Sequence, residues 1–371
     1  MQPVRPTWCE IDLRAVPHNL EIMRQLAARD LSIFICLKCD GFGCDASVLA
    51  KAVEKAGAEG LAFGNVDVAI ACRDSGVTLP ILLYPSCLPE SAELLRRYSL
   101  MPTLSTLDDV ARWDSASRGE LQVFLKVECG GLRAGCPPSQ IVALARAIIE
   151  SRHLRLAGIY GHLLAYGLED PMYAKAQLSS FKQSLGLLDA DGLGVPLRMF
   201  SSSETLLAEP EADFTGIEPG RLILGMSFPA IPDRDREWRN ALVGIKSRLV
   251  MVKSIAEEDG VLYAPYFKIR ADMKVGLIPL GWSDGYPRAL PKLAQVLVGG
   301  RRVAVLGPVH AELLRIDLTD LPDAQVGDEV VLLGAQGDQQ ITLTELTTQW
   351  CVSEIDVYTS IVKKLPKAYI N

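Results

Sequence analysis

From about residue 30 to residue 225, short apolar runs alternate with longer stretches whose apolar residues recur at helical spacing. The apolar runs are SIFICLK (32–38), GLAFG (60–64), ILLY (81–84), MPTLS (101–105), LQVFLKVE (121–128), LRLAGIYGHL (154–163), LRMFSS (197–202) and FTGIEPG (214–220). Between them, DASVLAKAVEKAG (45–57) and QIVALARAIIESR (140–152) read as helices. Strands that are apolar throughout, each followed by a helix, predict a parallel sheet covered on its outer face. Eight such alternations in this length suit a closed (β/α)8 TIM-type barrel of the α/β class. An open doubly wound sheet is the alternative, and the lack of a glycine-rich phosphate loop after the first strand weighs against it.

After about residue 235 the pattern changes. IKSRLVMV, GVLYAPYFKI, KVGLIPLGW, AQVLVGG, RRVAVLGPVH and DEVVLLG are β-type segments joined by Glu-Asp-Gly, Gly-Gly and Gly-Asp turns, without intervening helices. The reading is therefore a barrel over 1–234 and a mostly antiparallel β domain over 235–371, with residues 7–13 able to pair with the second domain.

Composition narrows the function classes. The 371 residues are 49% hydrophobic, enough for two cores. No apolar run approaches a membrane span, and the amino terminus does not resemble a signal peptide. A net charge of −7 without a basic tract argues against nucleic acid. Nine scattered cysteines read as reduced thiols in a cytoplasmic protein. Cys36, Cys39 and Cys44 cluster, but with four histidines, none nearby in sequence, no metal site is expected.

In a barrel, chemistry collects where strands end at their carboxyl face. Those ends carry Lys38, Arg133, His162, Ser202 and Glu218. A lysine closing an apolar strand either reaches solvent or serves as an amine nucleophile whose neighbours tune its pKa. A lone strand histidine is otherwise a satisfied core group, and an arginine after a strand is otherwise a solvated loop residue.

KCDGFG (38–43) resembles the cofactor-lysine motif of bacterial alanine racemases, and the likeness runs nearly end to end. WCEIDLRAVPHNL (8–20), KVECGGLRAG (126–135), YGHL (160–163), IPLGWSDGYPR (278–288) and IDVYTSIVKKLPKAY (355–369) resemble further family segments in the same order. The resemblance implies pyridoxal 5′-phosphate, a small amino-acid substrate and a homodimer with shared active sites, the β domain of each chain completing its partner's site. It implies Lys38 as cofactor carrier and one acid–base group, and Tyr263 as the second base, supplied by the partner subunit. Without it, Tyr263 would be a strand aromatic that packs. It further implies Arg133 as the substrate-carboxylate ligand, Lys126 as a lysine carbamylated in many relatives, and His162 beneath the cofactor ring. The phosphate is expected near Ser202, Gly220 and Arg221. Phe42 and Lys363 stand where the family places two phosphate-supporting tyrosines, and Arg221 and Lys363 could offset their loss with charge.

Several residues depart from the family. Glu218 replaces the arginine that faces the pyridine nitrogen, and IEPGR (217–221) resembles the motif of barrel-fold amino-acid decarboxylases. Apart from that likeness, Glu218 would be an exposed residue before a proline turn. His310-Ala311 replaces a Cys-Met pair, and Trp282 replaces a tyrosine. These changes predict a racemase or epimerase acting on an amino acid larger than alanine. Decarboxylation or other carbanion chemistry on the same cofactor (aldol-type or transaminating) is a second expectation, and a non-catalytic cofactor-binding protein a third.

Overall fold

The computed structural model describes residues 4–27, 30–164, 172–226, 228, 231, 237–256, 273–289 and 294–371. Contacts divide the chain into two compact units. One holds residues 15–41 and 45–239; the other holds 1–14, 42–44 and 240–371. The boundary expected at residue 234 falls among positions outside the described residues.

The first strand, β1 (Thr7–Asp12), belongs to the second unit. The first unit then contributes β2 (Ser32–Cys36), β3 (Gly60–Phe63), β4 (Ile81–Leu83), β5 (Leu100–Met101), β6 (Thr103–Leu104), β7 (Leu121–Lys126), β8 (Leu154–Tyr160), β9 (Leu197–Ser201) and β10 (Gly216–Ile217). All pair in parallel, in the order β5-β4-β3-β2-β10-β9-β8-β7-β6. β5 and β6 are halves of one segment interrupted at Pro102, which has no N–H for a ladder. Its carbonyl still accepts from Phe124 N at 2.8 Å. Counted as one, they close the sheet as the (β/α)8 barrel that the alternating pattern predicts.

The helices follow the same pattern. Over Ala46–Ala56 the buried positions Ala46, Leu49, Ala50 and Val53 form one stripe. Asp45 caps the first turn by accepting from Ser47 N and Val48 N. Gly57, at φ 92°, closes the last turn in the left-handed conformation that glycine adopts without penalty.

The barrel interior is filled by side chains from successive strands: Phe34, Cys36, Ala62, Leu82, Met101, Phe124, Tyr160 and Met199. Phe34 and Phe124 meet edge to face with centroids 6.2 Å apart. A Cβ on Gly158 would lie 2.5 Å from the Phe124 ring, so the missing side chain makes room for it. Phe124→Ala should destabilise the protein by about 3–5 kcal/mol through the cavity left behind, read as a lowered midpoint in urea. An unchanged midpoint would mean that this layer does not support the fold.

Among the described residues the second unit is built on a ten-stranded sheet. Its further strands are β11 (Leu242–Arg248), β12 (Met251–Ile255), β13 (Met273–Ile278), β14 (Gln295–Val298), β15 (Arg301–Leu306), β16 (Leu314–Asp317), β17 (Glu329–Gln336), β18 (Gln339–Ile341) and β19 (Lys367–Ile370). Pairing is antiparallel except between β1 and β19. β1 sits between β11 and β19, with Cys9 opposite both Ile245 and Lys367. Alternate residues of β1 are buried, as expected of a strand with one face on a core.

Candidate active site

Five side chains gather at the carboxyl ends of the barrel strands: Lys38 after β2, Tyr84 after β4, Lys126 at the end of β7, His162 after β8 and Glu218 after β10. Glu218 is the most enclosed, at 4% exposure. Its Oε2 accepts from the Tyr84 hydroxyl at 2.6 Å, and its Oε1 lies 3.5 Å from His162 Nδ1. Burial pushes the Glu218 carboxyl up, but His162, the Lys126 charge and the Tyr84 hydroxyl together hold it below its ordinary range. The group is therefore an anion at neutral pH.

Lys126 is 8% exposed, with its ammonium 4.4 Å above the Tyr160 ring. Burial dominates and lowers its pKa, although Glu218 opposes the shift. The Lys38 Nζ lies 5.2 Å from the centre of the Tyr84 ring. Its pKa is raised, first by the Cys36 sulfur and further by Glu218, against the effects of burial and of Arg133. Burial also pushes the Cys36 thiol up, and Glu218 is the buried carboxylate near Lys38.

The backbone immediately after Lys38 is unusual. Cys39, Asp40, Gly41 and Phe42 have φ between 55° and 63°, and Gly43 has φ 89°. A run of left-handed residues costs about 1–2 kcal/mol at each non-glycine position. Asp40 Oδ1 offsets part of this by accepting from Ala46 N at 3.0 Å. Strain of this kind persists where the surroundings over-determine it, commonly beside reacting groups. Phe42–Cys44 group with the second unit. There a Cβ on Gly43 would lie 2.5 Å from the Tyr358 carbonyl oxygen and 2.8 Å from Lys363 N, so only glycine fits. Phe42 is buried and the Lys363 side chain is exposed.

Arg133 lies on an exposed loop organised by Glu128. The Glu128 Oε1 accepts from the N–H groups of Gly130, Gly131 and Leu132 at 2.6, 2.5 and 3.1 Å, and Oε2 accepts from Arg133 N at 3.0 Å. Arg133 lines an open cleft with Lys126, Glu128, Cys129 and His162.

At the end of β9, Ser202 Oγ lies 3.2 Å from Thr205 Oγ1 and 3.4 Å from Glu204 Oε2. The Gly220 N–H, expected at the phosphate, donates to Ser203 Oγ at 2.9 Å. Arg221 pairs with Glu204 and stacks 4.1 Å from the Phe228 ring, so part of its charge is neutralised within the barrel unit.

In the second unit, Trp282 and the His310-Ala311 pair are brought side by side. Trp282 N donates to the His310 carbonyl at 3.0 Å and Ser283 N donates to that of Ala311 at 2.9 Å. Trp282 remains 42% exposed, and His310 and Ala311 are exposed too. Tyr263 lies outside the described residues. Among the described residues no group of three or more His, Cys, Asp or Glu could hold a metal ion; Cys36 and Cys44 are buried and Cys39 is exposed. No described helix is long and apolar enough to cross a membrane.

Tyr84 was not among the residues singled out from the sequence, where it closes the run ILLY as an ordinary strand aromatic. Its partner Glu218 is 134 positions away, and no local signal joins the two.

The donor set at this rim fits pyridoxal phosphate. It offers an amine for the aldehyde (Lys38), a buried carboxylate for a protonated ring nitrogen (Glu218) and a hydroxyl for the phosphate (Ser202).

Comparison with known proteins agrees with this chemistry. Residues 11–228 match the alanine racemase N-terminal domain and residues 242–369 the alanine racemase C-terminal domain. An alanine racemase of Syntrophobacter fumaroxidans is 30% identical, with 98% of each chain covered. One from Halothermothrix orenii is 29% identical, covering 99% of this chain and 97% of the relative. The crystal structure of alanine racemase from E. faecalis superposes with a TM-score of 0.86 at 27% identity, covering 99% of this chain and 98% of that one. A histidine racemase from Leuconostoc mesenteroides subsp. sake shares the fold, with a TM-score of 0.88 at 23% identity over 100% of this chain and 99% of that one. With a matching barrel, a matching β domain and a lysine closing the second strand, the chain belongs to the alanine racemase family of pyridoxal-phosphate-dependent isomerases.

Proposed function

We propose that this racemase interconverts the L and D forms of an amino acid larger than alanine, with Lys38 as the cofactor-bearing residue and one of two proton carriers. The observation that carries the reading is the gathering of Lys38, Lys126, His162 and Glu218 on one rim of a barrel whose sequence matches the family throughout. Bound pyridoxal phosphate supplies an electron sink that makes the Cα–H acidic.

The chain's own groups then divide the work. Lys38 takes or returns the α-proton on one face of the substrate. Tyr263, contributed by a second copy of the chain, serves the opposite face, as inversion requires. Arg133 binds the substrate carboxylate through its planar guanidinium, on the loop that Glu128 holds. Lys126 lies in the same cleft, and its lowered pKa suits a lysine that can be carbamylated to orient Arg133. Glu218, an anion at neutral pH, holds a proton on the ring nitrogen. Ser202 and the Arg221 amide bind the phosphate, with Lys363 adding charge. Trp282, His310 and Ala311, brought like Tyr263 by the β domain of the second copy, would face the substrate side chain; alanine's short side chain at position 311 leaves space for a larger substrate.

The buried Glu218 also favours a second reading, decarboxylation or related carbanion chemistry on the same cofactor. One experiment separates the two. Single enantiomers of a panel of amino acids are incubated with the holoenzyme in deuterium oxide and followed by chiral analysis and carbon dioxide release. The racemase reading expects the antipode, deuterated at Cα, with the highest kcat/KM on a substrate other than alanine. An amine product without the antipode would replace that reading with decarboxylation, and a preference for alanine would remove the substrate assignment.

A further inference from the structure

We propose that Tyr84 is a positioning residue for Glu218: its hydroxyl fixes Oε2 of the carboxylate, so that Oε1, flanked by His162, is the oxygen turned to the cofactor's ring nitrogen. The inference rests on the assignment of Glu218 to that nitrogen and adds a residue to which no role has been given.

The geometry is specific. The Tyr84 hydroxyl donates to Glu218 Oε2 at 2.6 Å, short enough for a charge-assisted bond. Tyr84 can only act as the donor. Burial, then the neighbouring Cys36 and Glu218, push its hydroxyl well above the ordinary tyrosine range, so it keeps its proton. The tyrosine ring is held independently of the hydroxyl. It packs against the barrel core and tilts against Tyr160 at a centroid distance of 5.9 Å. Tyr160 is itself tied to Thr103 Oγ1 at 3.0 Å. The same ring lies 5.2 Å from Lys38 Nζ, so one side chain touches both the proposed cofactor-bearing lysine and the carboxylate.

A buried carboxylate with one oxygen unpaired could rotate or take up a proton. The groups facing Glu218 are Tyr84 from β4, Lys126 from β7 and His162 from β8. His162 Nδ1 stands 3.5 Å from Oε1, a longer contact that still does more than Tyr84 to hold the carboxyl down, and Lys126 acts through its charge. Tyr84 makes the shortest side-chain hydrogen bond to the carboxylate among the described residues. Lys38, Cys36, Tyr160 and Arg133 complete the titratable surroundings at this rim. A hydroxyl that holds the anion in a single orientation makes it a reliable partner for a pyridinium. With His162 and Lys126 it also helps keep the carboxylate charged at pH values where an unpaired buried acid would be protonated.

The test compares Tyr84→Phe, Glu218→Gln and the double variant. Phenylalanine keeps the ring against Tyr160 and Lys38 and removes only the hydroxyl. On the best substrate of the holoenzyme, Tyr84→Phe should lower kcat about tenfold while KM changes less than about twofold. The acid limb of the kcat–pH profile should move to higher pH. In the Glu218→Gln background the same substitution should cost little. An equal loss in both backgrounds overturns the proposal in favour of plain packing, and so does an unmoved acid limb.

A second readout does not depend on activity. With 13C-labelled glutamate carboxyls in the cofactor-free protein, the Glu218 resonance should titrate below the ordinary carboxylate range and move to higher pH in Tyr84→Phe. A wild-type resonance within the ordinary range, or one indifferent to the substitution, overturns the proposal even if the variant proves too unstable to assay. A holoenzyme without turnover would strike at the racemase reading, whereas the carboxyl titration still decides the role of Tyr84.

Discussion

Lys38→Ala should abolish racemisation, by on the order of 10^4-fold or more, and remove the visible absorbance band of the bound cofactor, because on the proposed reading the substitution takes away both the covalent anchor and one proton carrier. The fold should survive. Position 38 lies at the exposed rim, outside the apolar layer formed by Phe34, Cys36 and Phe124, and a shorter side chain there leaves no internal cavity. A far-ultraviolet spectrum and urea midpoint close to wild type, together with the lost absorbance band, are therefore the expected pattern. A retained band would mean that another amine carries the cofactor. The strained turn at 39–43 sharpens the expectation, since its geometry follows directly on this one lysine. Free amines added to the variant should restore part of the proton-transfer rate and none of the covalent anchoring.

Glu218→Arg carries the second large effect, on chemistry and on stability together. The site holds one buried anion facing His162 and Lys126, with Lys38 nearby. Replacing it with a guanidinium removes the acceptor of the Tyr84 hydroxyl and places like charges beside two lysines. Exchange of the substrate α-proton with solvent should fall about 10^2-fold, because a cation beside the ring nitrogen disfavours its protonation and weakens the electron sink. Unchanged exchange would mean that Glu218 does not face the ring.

The milder Glu218→Gln variant isolates the charge. The wild-type carboxyl is depressed below the reference value of 4.5, so its contribution to stability is complete above that value and is lost as pH falls through the lower folded value. Acid unfolding of the cofactor-free wild-type protein should therefore steepen below about pH 4.5, and Glu218→Gln should lack this component. Identical acid unfolding curves would contradict the assigned shift.

Much of the fold is legible in the residues because burial writes a simple code. A barrel strand is covered on both faces, so SIFICLK, LQVFLKVE and LRMFSS are apolar throughout, and each appears in the structure where the pattern predicts a strand. Candidate site residues at strand ends are legible for the same reason: Lys38 and Glu218 stand out as charges at the ends of apolar runs, whereas Lys126 is singled out only by the family resemblance. What the sequence does not display is conformation without a residue-type signature. Cys39, Asp40 and Phe42 give no hint of a left-handed backbone, which glycine would announce and these residues do not. The need for glycine at position 43 comes from the backbone of residues 358–363, more than 300 positions away. The break at Pro102 is readable from residue type, but its place in the sheet follows only from which strands pair on either side. Tyr84 stayed hidden because half of its side chain is an ordinary core aromatic and only the hydroxyl carries information. Arg221 pairs with Glu204, a neighbour in space whose pairing helical periodicity does not foretell.

The central claim is a covalent link between the cofactor and a single lysine at the end of the second barrel strand. Borohydride reduction of the holoenzyme followed by peptide mapping tests it directly. The account predicts one pyridoxyl label, on the lysine of the segment SIFICLKCDGFG at position 38. A label on any other lysine, or a reduced protein that carries none, would contradict it.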